Sequence, residues 1–188
     1  KQVTIGVVQA NMHLSDPTND IPPHLALYQY KMGSLEMERQ GADLIIWPES
    51  AYPYHLSSQS HIFRNSIHAP LRTPLLFGAT RVEPTKRGQH SFERYNSAFL
   101  LNAKGEVHDI YNKNLLLAFG EYIPILSSFE FFDFIMPPNF FFSSGDSPKS
   151  MELAGVRYGV SICYAARMPR FIRQLMADKP HILINLTN

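Results

Sequence analysis

Short apolar runs bounded by polar turns alternate along this chain with stretches whose apolar positions recur every three or four residues. The opening VTIGVVQANM has the β-branched content of a strand. After it, Leu25, Tyr28, Met32 and Leu35 recur at helical spacing, and Gly41 stands where a left-handed cap would close the helix. DLIIWPE is the next strand. A short helical pattern around Ile62, Phe63, Ser66 and Ile67 leads past Pro70 and Pro74 into the strand LLFGAT, which the polar loop EPTKRGQHSFE ties to NSAFLLN as a hairpin. Asn102 to Gly105 reads as a turn into VHDIY. The apolar strand VRYGVSI then runs into a helix over YAARMPRFIRQLM, on which Met168, Phe171, Ile172 and Leu175 share a face and Pro169 is tolerated in the first turn. With the closing ILINLTN, this order predicts an α/β domain without repeats or low-complexity tracts.

At 188 residues, 45% hydrophobic and 18% charged, the chain can bury one substantial core but is short for two, so a single domain over 1–188 is expected. A net charge of +1, with lysines and arginines scattered rather than striped, excludes nucleic acid as an expected partner. The single cysteine excludes an internal disulfide. The eight histidines are dispersed without a spacing such as HExxH, so neither a metal nor another cofactor is expected. No segment offers about 20 consecutive apolar residues, the length of a membrane-spanning helix. The opening KQVTIGVVQ also lacks a signal-peptide pattern.

Candidate chemistry begins at Cys163, where the VRYGVSI strand meets the segment read as a helix. A thiol at such a junction can face substrate while rigid elements hold it, and a helix N-terminus would favour its thiolate. The competing reading is a small buried hydrophobe. Two charged positions change the balance. In GADLIIWPES, Pro48 stops the strand and pushes Glu49 to the sheet rim. In VHDIYNKNLLLAFGEYIP, a β-type stretch leads to Lys113 and, past an apolar segment, to Glu121. Read singly, the lysine is a snorkelling surface charge and each glutamate a helix cap or ion-pair partner. A thiol, a carboxylate and an ammonium on one sheet edge would together perform acyl transfer: attack by sulfur, proton transfer by carboxylate and oxyanion stabilisation by lysine.

WPES, YNKNLL and GVSICYAARMPRFIRQL, in that order, resemble the glutamate, lysine and nucleophile segments of the nitrilase superfamily of carbon-nitrogen hydrolases, and the resemblance covers essentially the whole chain. It implies an α-β-β-α sandwich with Glu49, Lys113 and Cys163 as the catalytic set. AFGEYIPI, FFSSGDSP and NLTN are similar, more narrowly, to the catalytic domain of apolipoprotein N-acyltransferases, in which Glu121 would be a further active-site glutamate. That likeness implies a phospholipid acyl donor and the N-terminal amine of a diacylglyceryl-cysteine lipoprotein as acceptor. It also implies a place at the bacterial inner membrane, facing the periplasm. Domains of that family continue with further strands after NLTN and are built into a bundle of membrane helices. The chain is therefore expected to be incomplete at its C-terminus, an excised piece or else a detached relative. It departs from the family at Ala165, where relatives commonly carry an acidic residue.

The segment SSFEFFDFIMPPNFFFSSG concentrates phenylalanines without a clear period. Its rings either cover the core beneath a long loop or form an aromatic lid that meets acyl chains or the bilayer surface. The second reading makes Phe140, Phe141 and Phe142, with Tyr164 beside the nucleophile, the expected substrate-binding residues. Two alternatives to acyl transfer stay open: a water-using amidase with the same catalytic set, and an inactive or truncated relative.

Overall fold

In a computed structural model the described residues are 2–10, 22–57, 63, 67–84, 92–118, 120–122 and 141–188. Nine strands and two α-helices follow one another as β1 (Ile5–Val7), α1 (Pro23–Arg39), β2 (Leu44–Ile46), β3 (Tyr52–Ser57), β4 (Leu75–Pro84), β5 (Phe92–Leu101), β6 (Val107–Asn112), β7 (Ser150–Leu153), β8 (Val156–Ile162), α2 (Pro169–Met176) and β9 (Ile182–Leu186) among these residues. They form a six-stranded sheet in the order β1-β2-β4-β5-β6, with β3 also on β4, and a three-stranded sheet, β7-β8-β9.

Period-two alternation along the central strands splits the core in two. Ile45, Trp47, Leu75, Phe77, Phe99 and Leu101 face one buried cluster together with Tyr30 of α1. Leu44, Ile46, Leu76, Ala98, Leu100 and Tyr111 face the other, which they share with Val156, Tyr158, Val160 and Ile162 of β8 and with Phe171 and Leu175 of α2. The large sheet therefore has α1 on one face and the small sheet on the other. This is the α/β sandwich expected from the sequence. Its strands β2 and β8 are almost wholly buried, which explains why they read as continuous apolar runs.

The face that α1 buries differs from the expected one. Leu25, Tyr28 and Met32 are exposed, and Ala26, Tyr30 and Ser34 are the buried positions, with Leu35 partly buried. The reason is local chemistry rather than hydropathy. The Trp47 indole N–H, buried in the sheet, donates to Ser34 Oγ at 2.8 Å, Ser34 Oγ donates to Tyr30 O at 2.7 Å, and the Tyr30 ring stacks on Trp47 at 5.1 Å. A buried indole donor needs a partner, and a helix offering small residues can come close enough to supply one. The helix ends as expected. Gly41, at φ +83°, donates its N–H to Glu38 O while Ala42 N–H donates to Met37 O, the paired bonds of a Schellman motif.

The LLFGAT and NSAFLLN strands pair antiparallel as expected, but they extend to Pro84 and from Phe92, well into the stretch read as loop. Asn102 closes the next turn with its Oδ1, which accepts from the N–H groups of Lys104 and Glu106. Of the short helical pattern, Phe63 and Ile67 are buried, whereas Ile62 and Ser66 lie outside the described residues.

At the end of α1, Glu38 Oε2 accepts from Arg72 N–H (2.7 Å), Thr73 N–H (2.8 Å) and Thr73 Oγ1 (2.8 Å), fastening the helix to the approach to β4. Desolvation pushes this carboxyl up, but the hydrogen bonds outweigh it and hold the group below the usual carboxylate range. A depressed carboxyl contributes stability above its unfolded-state pKa and loses it as pH falls through the folded-state value. Glu38→Gln should therefore lower stability at neutral pH by about 1–2 kcal/mol. The gap from the parent chain should close on acidification through the carboxylate range, as read by urea unfolding at a series of pH values.

Candidate active site

β2 and β3 lie in line along the same edge of β4, β2 against Leu75 and Leu76 and β3 against Ala79 to Val82. Between them Pro48 interrupts the strand, Gly78 N–H donates to Pro48 O at 3.1 Å, and Ser50 takes a left-handed backbone at φ +53°. Gly78 is what lets this interruption lie against β4. A Cβ there would stand 2.6 Å from both Glu49 Cα and Pro48 O, closer than backbone can yield. Glu49 is thus presented at the end of a parallel strand by a proline stop and a glycine gap.

Its carboxylate meets β5. Asn96 continues the same strand face as Ala98 and Leu100, and Lys113, paired to it through Lys113 N–H donating to Asn96 O at 2.8 Å, continues the face of Tyr111. The side that packs against the small sheet therefore turns from apolar to polar at one place. There Asn96 Nδ2 donates to Glu49 Oε1 (2.7 Å) and to Glu121 Oε1 (3.1 Å). The Lys113 ammonium lies 2.8 Å from Glu121 Oε1 and 3.9 Å from Glu49 Oε1. The lysine side chain is 1% exposed and both glutamates 13%.

Glu121 is the more fully engaged carboxylate. Its Oε2 accepts from Leu117 N–H at 2.8 Å, closing the turn in which Gly120 and Glu121 N–H groups donate to Leu117 O. Oε2 of Glu49 accepts no hydrogen bond from a described residue, so one oxygen of that carboxylate is open to a substrate or nucleophile proton. The backbone around Lys113 is clamped from the far side by the SSGD segment: Gly145 N–H donates to Lys113 O at 3.0 Å and Ser144 Oγ to Asn114 O at 2.8 Å. Tyr111 beneath donates its hydroxyl to Asn114 Oδ1 at 2.9 Å, and burial pushes its phenol up to about 12.

Cys163 directly follows β8, the central strand of the small sheet, and packs half-buried on the same core that carries Asn96 and Lys113 at its polar margin. Its φ of +54° is a left-handed conformation that costs a non-glycine residue about 1–2 kcal/mol. Such strain is characteristic of tight strand-to-helix turns that thrust a nucleophile outward. No hydrogen bond or ion pair joins the thiol to the carboxylate-lysine cluster among the described residues.

The long helix expected after the cysteine is instead a 3₁₀ turn, Cys163–Arg167, followed by α2 from Pro169. Proline disfavours α geometry at the residue before it, and Met168 accordingly sits at φ −97°, ψ 109°. The thiol therefore lies at the head of one short turn, not on the dipole of a full helix. The predicted apolar face of α2 is present, with Phe171 and Leu175 buried and Met168 and Ile172 partly so. Tyr164 is exposed, with the Arg167 guanidinium 5.4 Å above its ring. Ala165 is fully buried among apolar side chains.

Of the phenylalanine-rich segment, Phe140 lies outside the described residues with most of its neighbours, and Phe141 is partly buried. Phe142, also partly buried, donates its N–H to Glu121 O at 3.0 Å and lies under the Arg94 guanidinium at 5.2 Å. It lines an open cavity of about 390 Å³ with Leu115, Leu116, Tyr122, Asn114 and Ser144, of which Asn114 and Tyr122 directly follow Lys113 and Glu121 in the chain. Among the described residues, no group of His, Cys, Asp and Glu side chains converges as metal ligands. Nor is any helix there long and apolar enough to cross a membrane.

Asn96 is the site residue the sequence reading missed. Its signal was a polar side chain at the apolar boundary of NSAFLLN, two positions before Ala98 on the same face.

Comparison with known proteins agrees with this architecture. The chain is 36% identical to an apolipoprotein N-acyltransferase of Bdellovibrio bacteriovorus over 157 residues, covering 78% of this chain and 28% of that protein. It is 28% identical to the one of Rhodopseudomonas palustris over 183 residues, 95% of this chain and 34% of that protein. The chain thus spans about a third of the length of these curated relatives. Among solved structures, an amidase from Nesterenkonia sp. matches with a TM-score of 0.61 at 18% identity, over 98% of this chain and 64% of the other. A glutamine-dependent NAD+ synthetase from Acinetobacter baumannii matches with a TM-score of 0.61 at 20% identity, over 88% and 30%. These likenesses establish a shared fold. The carbon-nitrogen hydrolase family model matches residues 4–188, and the chain belongs to that family, the nitrilase superfamily.

Proposed function

We propose that the chain is the catalytic part of an N-acyltransferase that moves a fatty acyl group from a phospholipid, through a thioester on Cys163, to the N-terminal amine of a diacylglyceryl-cysteine lipoprotein. The observation that carries this reading is the buried Lys113 ammonium fixed between two carboxylates, with Oε2 of Glu49 left open, at the margin of the core on which Cys163 packs. The relatives named apolipoprotein N-acyltransferase support the choice of acyl acceptor.

In the first half-reaction Glu49 takes the thiol proton as sulfur attacks the ester carbonyl, and the Lys113 ammonium stabilises the oxyanion. Collapse breaks the carbon-oxygen bond, the lysophospholipid leaves with the proton returned by Glu49, and the acyl group stays on sulfur. In the second, the amine attacks the thioester, Glu49 accepts the amine proton, and the thiolate departs and regains it. Glu121, engaged by Lys113, Asn96 and the Leu117 N–H, holds the ammonium in place and does not exchange protons. Leu115, Leu116, Tyr122 and Phe142 offer the acyl chain an apolar seat, with Tyr164 and Phe141 as further contacts and Phe140 as an expected part of the lid. The place of action is the periplasmic face of the bacterial inner membrane, reached through membrane helices outside this chain or through the phenylalanine-rich segment.

The fold shared with the Nesterenkonia amidase favours one second reading, in which water replaces the amine and the product is a free acid. Incubation with vesicles of a diacyl phospholipid, followed by intact-mass measurement, distinguishes the two. A hydroxylamine-labile fatty acyl adduct on Cys163, absent in Cys163→Ala, is the expected result. Turnover of small amides with no such adduct would replace this reading with the hydrolase. Neither adduct nor turnover would leave the inactive relative.

A further inference from the structure

We infer that Asn96 is a positioning residue for this site, its side-chain amide holding the general base and the lysine's carboxylate partner in one fixed arrangement. The inference rests on the acyl-transfer reading and adds a residue to it. A side-chain amide carries two N–H donors, and Asn96 directs its Nδ2 to Glu49 Oε1 at 2.7 Å and Glu121 Oε1 at 3.1 Å. Its backbone oxygen accepts from Lys113 N–H at 2.8 Å, so one residue ties together all three charged members of the cluster. At 5% exposure it is withheld from solvent, where each of those donors is worth more than in water.

Glu49 depends on it more than Glu121 does. Glu121 retains the ammonium at 2.8 Å and the Leu117 N–H at 2.8 Å if the amide is removed. Glu49 retains only the ammonium at 3.9 Å, beyond hydrogen-bond range. The charged groups facing Glu49 among the described residues are Lys113, following β6, and Glu121, from the turn after it. Without the amide, two carboxylates lie beside one ammonium and the nearer one keeps it. Glu49 would then be free to swing away from the thiol whose proton it takes.

The test uses the chain's sole thiol, alkylated with iodoacetamide between about pH 5 and 9, a span that covers thiol ionisation. Asn96→Ala should slow alkylation roughly tenfold or more relative to the parent chain, the scale of a lost charge-assisted hydrogen bond. Asn96→Asp keeps the shape but cannot donate when ionised, and it sets a third carboxylate against the other two. It should be slower than Asn96→Ala at alkaline pH, and its rate relative to the parent chain should recover as pH falls and the new carboxyl protonates. A packing role predicts the opposite order, with the isosteric Asp the milder change and its relative rate flat with pH. That result, or an Asn96→Ala rate within about twofold of the parent throughout, would overturn the assignment, with rates corrected for folded fraction by thermal unfolding. A parent chain no more reactive than a free thiol would overturn the acyl-transfer reading along with it. A reactive parent with insensitive Asn96 variants would remove Asn96 alone.

Discussion

Glu49→Gln should lower the rate of Cys163 acylation by about two to four orders of magnitude, the usual contribution of a positioned general base, while leaving the fold intact. The substitution is close to isosteric. The new side-chain amide can still present an oxygen to Asn96 Nδ2, preserving the 2.7 Å contact, and Lys113 keeps its nearer partner Glu121 at 2.8 Å. What is lost is the open oxygen Oε2, replaced by an N–H group that cannot accept a proton. The loss should therefore appear in the rate of adduct formation and not in the urea midpoint. Glu121→Gln offers the contrast. It weakens the grip on Lys113 and the Leu117 turn, so it should disturb both stability and rate. If Glu49→Gln acylates at the parental rate, Glu49 is not the base and the proposed mechanism fails at its first proton transfer.

The parts legible in the sequence were those where one residue type has one physical meaning. Pro48 after a continuous apolar run marked the end of a central strand, so Glu49 lay beyond it, and Gly41 at the end of the helical spacing marked a cap. The apolar run before Cys163 matches β8 to the residue, Val156–Ile162. What escaped was set by neighbours distant in sequence. The buried face of α1 is chosen by the Trp47 indole, which selects Ser34 over Met32. β7 was invisible because its hairpin to β8 turns through Ala154 and Gly155, at φ +51° and +77°, where Asn-Gly or Asp-Gly would have announced it. β3, with Pro53 and mostly exposed side chains, has no apolar pattern to read and exists because β4 offers it an edge. Asn96 looked like an ordinary strand residue until Glu49 and Glu121, 47 and 25 positions away, were found on its amide. Locally such a residue shows only as a polar side chain at the margin of an apolar strand, which does not reveal what it holds.

Lys113→Met should destabilise the chain by about 3–5 kcal/mol, the cost of removing one partner from a buried charge cluster. The Lys113 side chain is 1% exposed, and its ammonium is the only cation within salt-bridge distance of Glu49 and Glu121 among the described residues. Its removal leaves two nearly buried carboxylates that share Asn96 Nδ2, with only the Leu117 N–H on Glu121 besides. Methionine fills the volume of the lysine stem, so a cavity contributes little and the deficit is electrostatic. This makes the effect separable from packing. Adding Glu121→Gln to Lys113→Met removes one of the two like charges and should restore part of the lost stability, a double-mutant coupling in the range of 0.5–3 kcal/mol that is roughly what contacting charges show. The double variant should nonetheless remain inactive, because in the proposed mechanism the oxyanion of the tetrahedral intermediate loses its cation whatever the stability of the fold. Urea unfolding of the four chains at neutral pH measures the coupling, and adduct mass on Cys163 measures the chemistry. Additive stabilities would mean that Lys113 and Glu121 do not share a buried charge network, and acylation by the double variant would mean that oxyanion stabilisation resides elsewhere. Recovery of stability without recovery of chemistry is the outcome that separates holding the site together from running it.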